Sequence, residues 1–177
     1  MIQSKAIITV LSLNLLSASL LPSGAYGFDR VGLRVGIDTE ADVDVIGYEV
    51  FGVADTAWSW DFSNDYELLF EFEGVAAVLN GEGTTGGLLK IAPQLRLDSD
   101  VFPVELVVSS GPSYLTEEKF GDLDLGGAFQ FTSSIGLDWQ IKENWTLGYR
   151  YQHTSNAGIY DVNDGLNLHS VSLDCRF

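Results

Sequence analysis

Trp145-Thr146-Leu147-Gly148-Tyr149-Arg150-Tyr151-Gln152 alternates without a break, large apolar or aromatic side chains on one parity and small or polar ones on the other. Successive residues of a strand point to opposite faces, so this is a strand with one apolar and one polar side. Which of the two sides is the inside of the protein decides the fold.

The same period recurs from Arg30 onward, and no window shows the 3.6-residue period of an amphipathic helix. Val31, Leu33, Val35 and Ile37 oppose Gly32, Arg34, Gly36 and Asp38. Ile46, Tyr48, Val50, Trp58, Trp60 and Phe62 share a parity, with a bend expected at Ala54-Asp55-Thr56. Tyr66, Leu68, Phe70 and Phe72 stand against Glu67, Glu71 and Glu73. Leu89, Ile91, Pro93, Leu95 and Leu97 stand against Lys90, Gln94, Arg96 and Asp98. Phe102, Val104, Leu106 and Val108 are followed by Phe129, Phe131, Ile135, Leu137 and Trp139, the latter against Gln130, Thr132, Ser134 and Asp138. Val171, Leu173, Cys175 and Phe177 close the chain against Ser170, Ser172, Asp174 and Arg176.

With the opening stretch, that makes eight predicted strands of about ten residues, an even number. Ser63-Asn64-Asp65, Asp98-Ser99-Asp100 and Lys142-Glu143-Asn144 are tight and rich in turn formers. Residues 38–44, 80–87, 110–126 and 156–166 are longer and rich in glycine and acidic residues. Short turns at one end and long loops at the other are the pattern of an outer-membrane barrel.

Polarity gives the same answer. A soluble eight-stranded barrel turns its apolar side inward and its charges outward. Here the polar parity mixes Arg34, Arg96, Arg150 and Arg176 with Glu71, Glu73, Glu105, Asp138 and Asp174, a set suited to a narrow lumen filled by paired charges. The apolar parity runs the length of the strands, and Trp58, Trp60, Trp139 and Trp145 lie near the ends that face the short turns, as an interfacial girdle does. The terminal Phe177 matches the same architecture. The expected fold is therefore all-β, an eight-stranded antiparallel transmembrane barrel with a polar, side-chain-filled lumen, in the bacterial outer membrane. Closure pairs every backbone N–H and C=O in the hydrocarbon, which is what permits sheet there. A lumen so narrow and so filled leaves little room for a pore.

Residues 1–27 read as a signal peptide: Lys5, an apolar stretch from Ala6 to Leu21, then Ala25 and Gly27 before Phe28. Residues 28–177 form the expected barrel domain. Removing Lys5 from the 9 basic residues leaves 8 against 25 acidic ones, a net charge of −17. That sign disfavours nucleic acid as a partner. The single Cys175 excludes an intrachain disulfide framework. No zinc-ligand spacing, nucleophile elbow or phosphate-cradling glycine loop is present, and no cofactor or metal is expected.

The alternation of the opening stretch continues into His153 and Ser155, which puts both on the lipid-facing parity, with Asn167 on the same parity of the last strand. Polar groups facing lipid are costly and call for a reason. His153 lies eight residues above Trp145, roughly 26 Å along the strand at about 3.3 Å per residue. At a tilt of about 40° this is about 20 Å above the girdle, near the outer interface of a band about 25 Å tall. A base and a nucleophile at that height meet the ester bonds of a membrane lipid in place. Ser155 is the candidate nucleophile and His153 the candidate base. Asn167 is the candidate to orient the imidazole, with Asn156 and backbone amides around Gly158 as candidate oxyanion donors. His169 lies on the same parity near the outer rim.

Residues 149–159 (Tyr-Arg-Tyr-Gln-His-Thr-Ser-Asn-Ala-Gly-Ile), residues 163–167 (Asn-Asp-Gly-Leu-Asn) and the final Arg176-Phe177 resemble the signature of the lipid A 3-O-deacylase (PagL) family. Trp58-Ser59-Trp60, Ala92 through Arg96, Gly111-Pro112 and Gly126 through Phe131 extend the resemblance. It implies a serine esterase, a carboxylic ester hydrolase that removes the 3-O-linked acyl chain of lipid A in lipopolysaccharide. In that reading His153 is the base, Ser155 the nucleophile, and Asn156, Gly158 and Asn163 surround the oxyanion. The chain departs from the family's pattern at Asn167, where the best-known members carry a glutamate. A non-catalytic small barrel with an adhesive or envelope-structural role is the other reading the sequence supports. The barrel is expected to be a monomer or a homodimer.

Overall fold

The computed structural model describes residues 27–39, 43–63 and 65–177; the predicted signal peptide lies outside them apart from Gly27. The strands are β1 (Arg30–Asp38), β2 (Val45–Ser63), β3 (Tyr66–Gly81), β4 (Thr84–Ser99), β5 (Val104–Leu115), β6 (Lys119–Phe120), β7 (Leu123–Asp124), β8 (Phe129–Lys142), β9 (Trp145–Ser155) and β10 (Leu166–Arg176). All but β6 and β7 form one closed antiparallel barrel in the order β1-β10-β9-β8-β5-β4-β3-β2. Closure is made between the first and last strands, from Arg30 opposite Arg176 to Asp38 opposite Leu168.

The polar parity is inside. Arg34 donates to Glu49 at 2.8 Å and to Glu73 at 2.9 Å, and Lys90 reaches Glu73 at 2.8 Å. Gln152 ties this group together, accepting from Arg34 and donating to Glu49, each at 2.8 Å. A second group lies nearer the short turns. Arg96 contacts Glu71, Asp138 and Glu105, Arg30 contacts Glu71 at 2.5 Å, and Arg150 chelates Asp138 at 2.6 and 2.9 Å. Small inward residues make room for these pairs: a Cβ on Gly148 would stand 2.7 Å from Asp138 Oδ1. Each of these charges has an opposite partner, the condition under which burial of charge is tolerated, whereas the buried Asp174 leaves its Oδ1 without a hydrogen bond. The other parity faces out and is apolar, with Trp58, Trp60 and Trp139 exposed at the short-turn end.

Several local expectations change. Arg176 is not in the lumen but at the rim, where it pairs with Asp55 at 2.7 Å, because β10 ends there. The barrel strands are less even than the expected ten residues, ranging from 9 in β1 to 19 in β2. The bend in β2 is an insertion in the ladder between Asp55 and Ser59, held by Thr56, whose hydroxyl donates to Phe70 O at 2.6 Å. Residues 80–87 are not a long loop. β3 and β4 continue to Gly81 and Thr84, and Glu82 and Gly83, with φ of 46° and 80°, make a two-residue turn whose twist matches the flanking strands. The segment 110–126 is mostly strand as well, since β5 reaches Leu115 and β6–β7 form a small hairpin of their own. Lys119 and Asp124 pair across that hairpin at 2.7 Å. Their hydrogen bond raises the ammonium pKa and lowers the carboxyl pKa.

The lumen is not charged throughout. Towards the long loops it is closed by an apolar cluster that includes Val45, Leu79, Leu88, Leu115, Phe120, Leu125 and Leu166. The β6–β7 hairpin thus packs over the barrel mouth as a lid.

Candidate active site

β9 carries Arg150, Gln152 and Thr154 inward and Tyr149, Tyr151, His153 and Ser155 outward. On β10, Leu166, Leu168 and Ser170 are buried, and Asn167 and His169 point out. The register sets His153 directly opposite Asn167. Parity and register together therefore bring the two side chains side by side on the outer wall.

His153 Nδ1 lies 2.7 Å from Asn167 Oδ1. A carbonyl oxygen can only accept, so Nδ1 carries the proton and Nε2 is left as the basic nitrogen. Asn167 is itself held from two further directions. The Tyr151 hydroxyl donates to the same Oδ1 at 3.1 Å, and the backbone N–H of Asn167 donates to Asp38 Oδ2 at 3.0 Å. Gly165, at φ +77°, passes close to the imidazole, and a Cβ there would stand 3.1 Å from His153 Cε1.

Ser155 is the last residue of β9, half-buried and opposite Phe131. It shares the outward face with His153 without a hydrogen bond between them among the described residues. Catalytic hydrogen bonds commonly tighten only around substrate.

The loop after Ser155 is built by Asn156, which is fully buried. Its Nδ2 donates to Leu125 O at 3.0 Å and to Val162 O at 2.6 Å, and its Oδ1 accepts from Gly158 N at 2.9 Å. Ile159 N closes the turn onto Asn156 O at 3.1 Å, with Ala157 and Gly158 both at positive φ. Left-handed backbone at a residue other than glycine is uncommon and marks a conformation the surroundings impose. The side-chain donors of Asn156 and the N–H of Gly158 are thus engaged within the loop. Asn163 differs. Its Oδ1 accepts from Asn156 N at 3.0 Å, which holds the amide against the peptide that joins Ser155 to Asn156.

Sequence reasoning missed Tyr151 and Asp38. Tyr151 is two residues before His153 on the same face, but its reach to Asn167 is a diagonal across the ladder. Asp38 is at the end of β1, adjacent to β10 only once the barrel closes. His169, left open by the sequence, bonds the Tyr149 hydroxyl through Nδ1 at 2.6 Å and packs on the Tyr151 ring at 5.0 Å.

A closed eight-stranded barrel, charged within and apolar without, with a histidine, a serine and an asparagine together on its outward wall, is an outer-membrane β-barrel carrying a candidate site on that wall. Residues 46–176 match the model of one family, "Lipid A 3-O-deacylase (PagL)", and the chain belongs to that family. Two curated relatives agree. Lipid A deacylase PagL of Bordetella bronchiseptica is 36% identical over 67 residues, 38% of either chain. Its counterpart from Pseudomonas aeruginosa is 31% identical over 61 residues, 34% of this chain and 35% of its own. The chain thus matches rather more than a third of the length of these relatives. The crystal structure of the outer membrane enzyme PagL superposes with a TM-score of 0.74 at 22% identity, covering 84% of this chain and 99% of that one.

Proposed function

We propose that the protein is a serine esterase that hydrolyses the 3-O-linked acyl ester of lipid A within the outer leaflet. The observation that carries this reading is the 2.7 Å contact between His153 Nδ1 and Asn167 Oδ1 on the lipid-facing wall, beside Ser155. Such a contact fixes the imidazole in the tautomer a general base requires, at a place where a purely structural polar group is a liability.

Ser155 Oγ attacks the ester carbonyl while His153 Nε2 takes its proton. The tetrahedral oxyanion is met by the NH2 of Asn163, which the loop built by Asn156 and Gly158 holds in place. Collapse breaks the carbon–oxygen bond to the sugar, and His153 returns the proton to the departing alkoxide. Water, deprotonated by the same nitrogen, then releases the acyl chain as a fatty acid and restores Ser155. The whole exchange is made at the height of the ester linkages, so the substrate keeps its acyl chains in the bilayer.

Mass spectrometry of lipid A from cells expressing the wild type or Ser155→Ala tests the reading. Loss of a 3-linked acyl chain with the wild type alone is the expected result. Identical spectra, with both barrels folded, would sink it.

A further inference from the structure

Above the Trp girdle, aromatic residues aside, the outward-facing polar side chains of β5, β8, β9 and β10 are Ser110, Ser133, His153, Ser155, Asn167 and His169. They form one connected patch. The register sets Ser110 opposite Ser133, Ser133 opposite His153, and His153 opposite Asn167, so four of them make a single row across four neighbouring strands. Half of that row is the proposed catalytic group. The other half, Ser110 and Ser133, is exposed, has its hydroxyls 2.8 Å apart, and plays no part in the chemistry described so far.

The pair is embedded in apolar surface rather than placed at its edge. Val108 and Ile135 face each other just below it, and Pro112 with Phe131, then Tyr114 with Phe129, stand above. Hydroxyls facing hydrocarbon are costly unless satisfied. The serines satisfy each other only in part, because one donates to the other and the acceptor keeps a proton of its own to give. Residues opposite one another in an antiparallel ladder are about 5 Å apart, so Ser133 and Ser110 lie about 5 and 10 Å from His153. Ser155 is one step higher, opposite Phe131. A lipid with its ester carbonyl at Ser155 therefore has the serine pair below it, on the two neighbouring strands and within reach of its acyl region.

We propose that Ser110 and Ser133 form a subsite for a second hydrogen-bonding group in the acyl region of the substrate, either a hydroxyl on the ester-linked chain or the amide that joins a neighbouring chain to the same sugar. Both groups offer a donor and an acceptor, which the pair complements. The subsite selects which acylated sugar is presented to Ser155 and does not touch the scissile carbonyl. The inference rests on the esterase reading above.

The test uses the purified full barrel in detergent micelles and four synthetic 3-O-acyl sugars, with or without a 3-hydroxyl on the ester chain and with or without a 2-acylamide. The wild type is expected to favour the hydrogen-bonding member of one of these comparisons about tenfold in kcat/KM, equivalent to about 1.4 kcal/mol. In the Ser110→Ala/Ser133→Ala double variant that ratio falls to within about twofold of unity, while Ser133→Thr, which keeps a hydroxyl, retains it. The comparison that responds identifies the group bound. Ser110→Ala alone is read in the same way if the double variant does not fold. A wild type without preference in either comparison, or a folded variant with the wild-type ratios, overturns the subsite and leaves the esterase standing. A wild type that cleaves none of the four esters overturns both.

Discussion

His153 and Asn167 face each other across β9 and β10 with Nδ1 and Oδ1 2.7 Å apart. The amide gives the imidazole its orientation and its tautomer but no charge. A carboxylate at the same place would also stabilise the imidazolium, since hydrogen bonds to ionised groups are roughly twice as strong. Asn167→Glu is therefore expected to raise kcat by about tenfold, and Asn167→Ala to lower it by about a hundredfold, at the lower end of what a positioned general base contributes. Fatty-acid release in micelles measures both. An unchanged rate in Asn167→Ala would remove Asn167 from the mechanism.

Tyr151 is expected to matter through Asn167. Its hydroxyl shares Oδ1 with the histidine, so Tyr151→Phe loosens the amide without touching substrate. One neutral hydrogen bond corresponds to about 1 kcal/mol, a fall of about fivefold in kcat with KM unchanged. In an Asn167→Glu background the same change should cost less, because a carboxylate has a second oxygen and no amide end to misplace. Equal losses in both backgrounds would assign Tyr151 a merely structural part.

Gly165→Ala tests the approach of the last loop to the imidazole. The residue sits at φ +77°, and the new methyl would press on His153 Cε1 at 3.1 Å. Strain at a left-handed position costs on the order of 1 kcal/mol, and ring displacement should lower kcat by more than tenfold. A barrel that still shifts on a gel like the wild type, yet cleaves slowly, is the expected pairing. Full activity would show that the ring has room to spare.

Removal of Glu73 should be felt throughout the barrel and not first at the site. Glu73 receives Arg34 and Lys90, both buried, and Glu73→Ala leaves two cations short of a partner. Breaking a buried pair in this way costs roughly 3–5 kcal/mol. Urea unfolding in lipid vesicles should show a much lower midpoint, and a midpoint close to the wild type would mean that the lumen rearranges.

The barrel was legible in the chain because a strand between lipid and a charged lumen must change polarity at every residue, and eight runs do. The same alternation placed His153, Ser155 and Asn167 on one wall. What escaped reading depends on contacts between distant segments. The glycines at 86 and 87 looked like loop, but Gly86 is a strand residue kept small because a Cβ would stand 2.8 Å from that of Glu117. The inward leucines at 79, 88, 115 and 166 lie on the parity that otherwise carries charge, and their common cluster appears only when the hairpin β6–β7 folds over the mouth. The roles of Asp38 and Tyr151 needed the closure of β1 on β10 and the diagonal of a ladder, neither of which is a spacing in sequence.

The ion pairs of the lumen also determine the sign of what is left outside. Arg30, Arg34, Lys90, Arg96 and Arg150 are buried, so among the described residues the many carboxylates that face water share only Lys119, Lys142 and Arg176 as lysine or arginine neighbours. Of these three, Lys119 stands on the outer rim. The phosphorylated head groups of lipid A, the substrate proposed above, carry the same sign, so protein and lipid are expected to repel as they drift together in the plane of the leaflet. Repulsion between exposed charges is screened within about 10 Å at 0.1 M salt. Added salt or divalent counterions should therefore quicken two-dimensional encounter, the reverse of the salt response of an enzyme that recruits its anionic lipid with a basic patch.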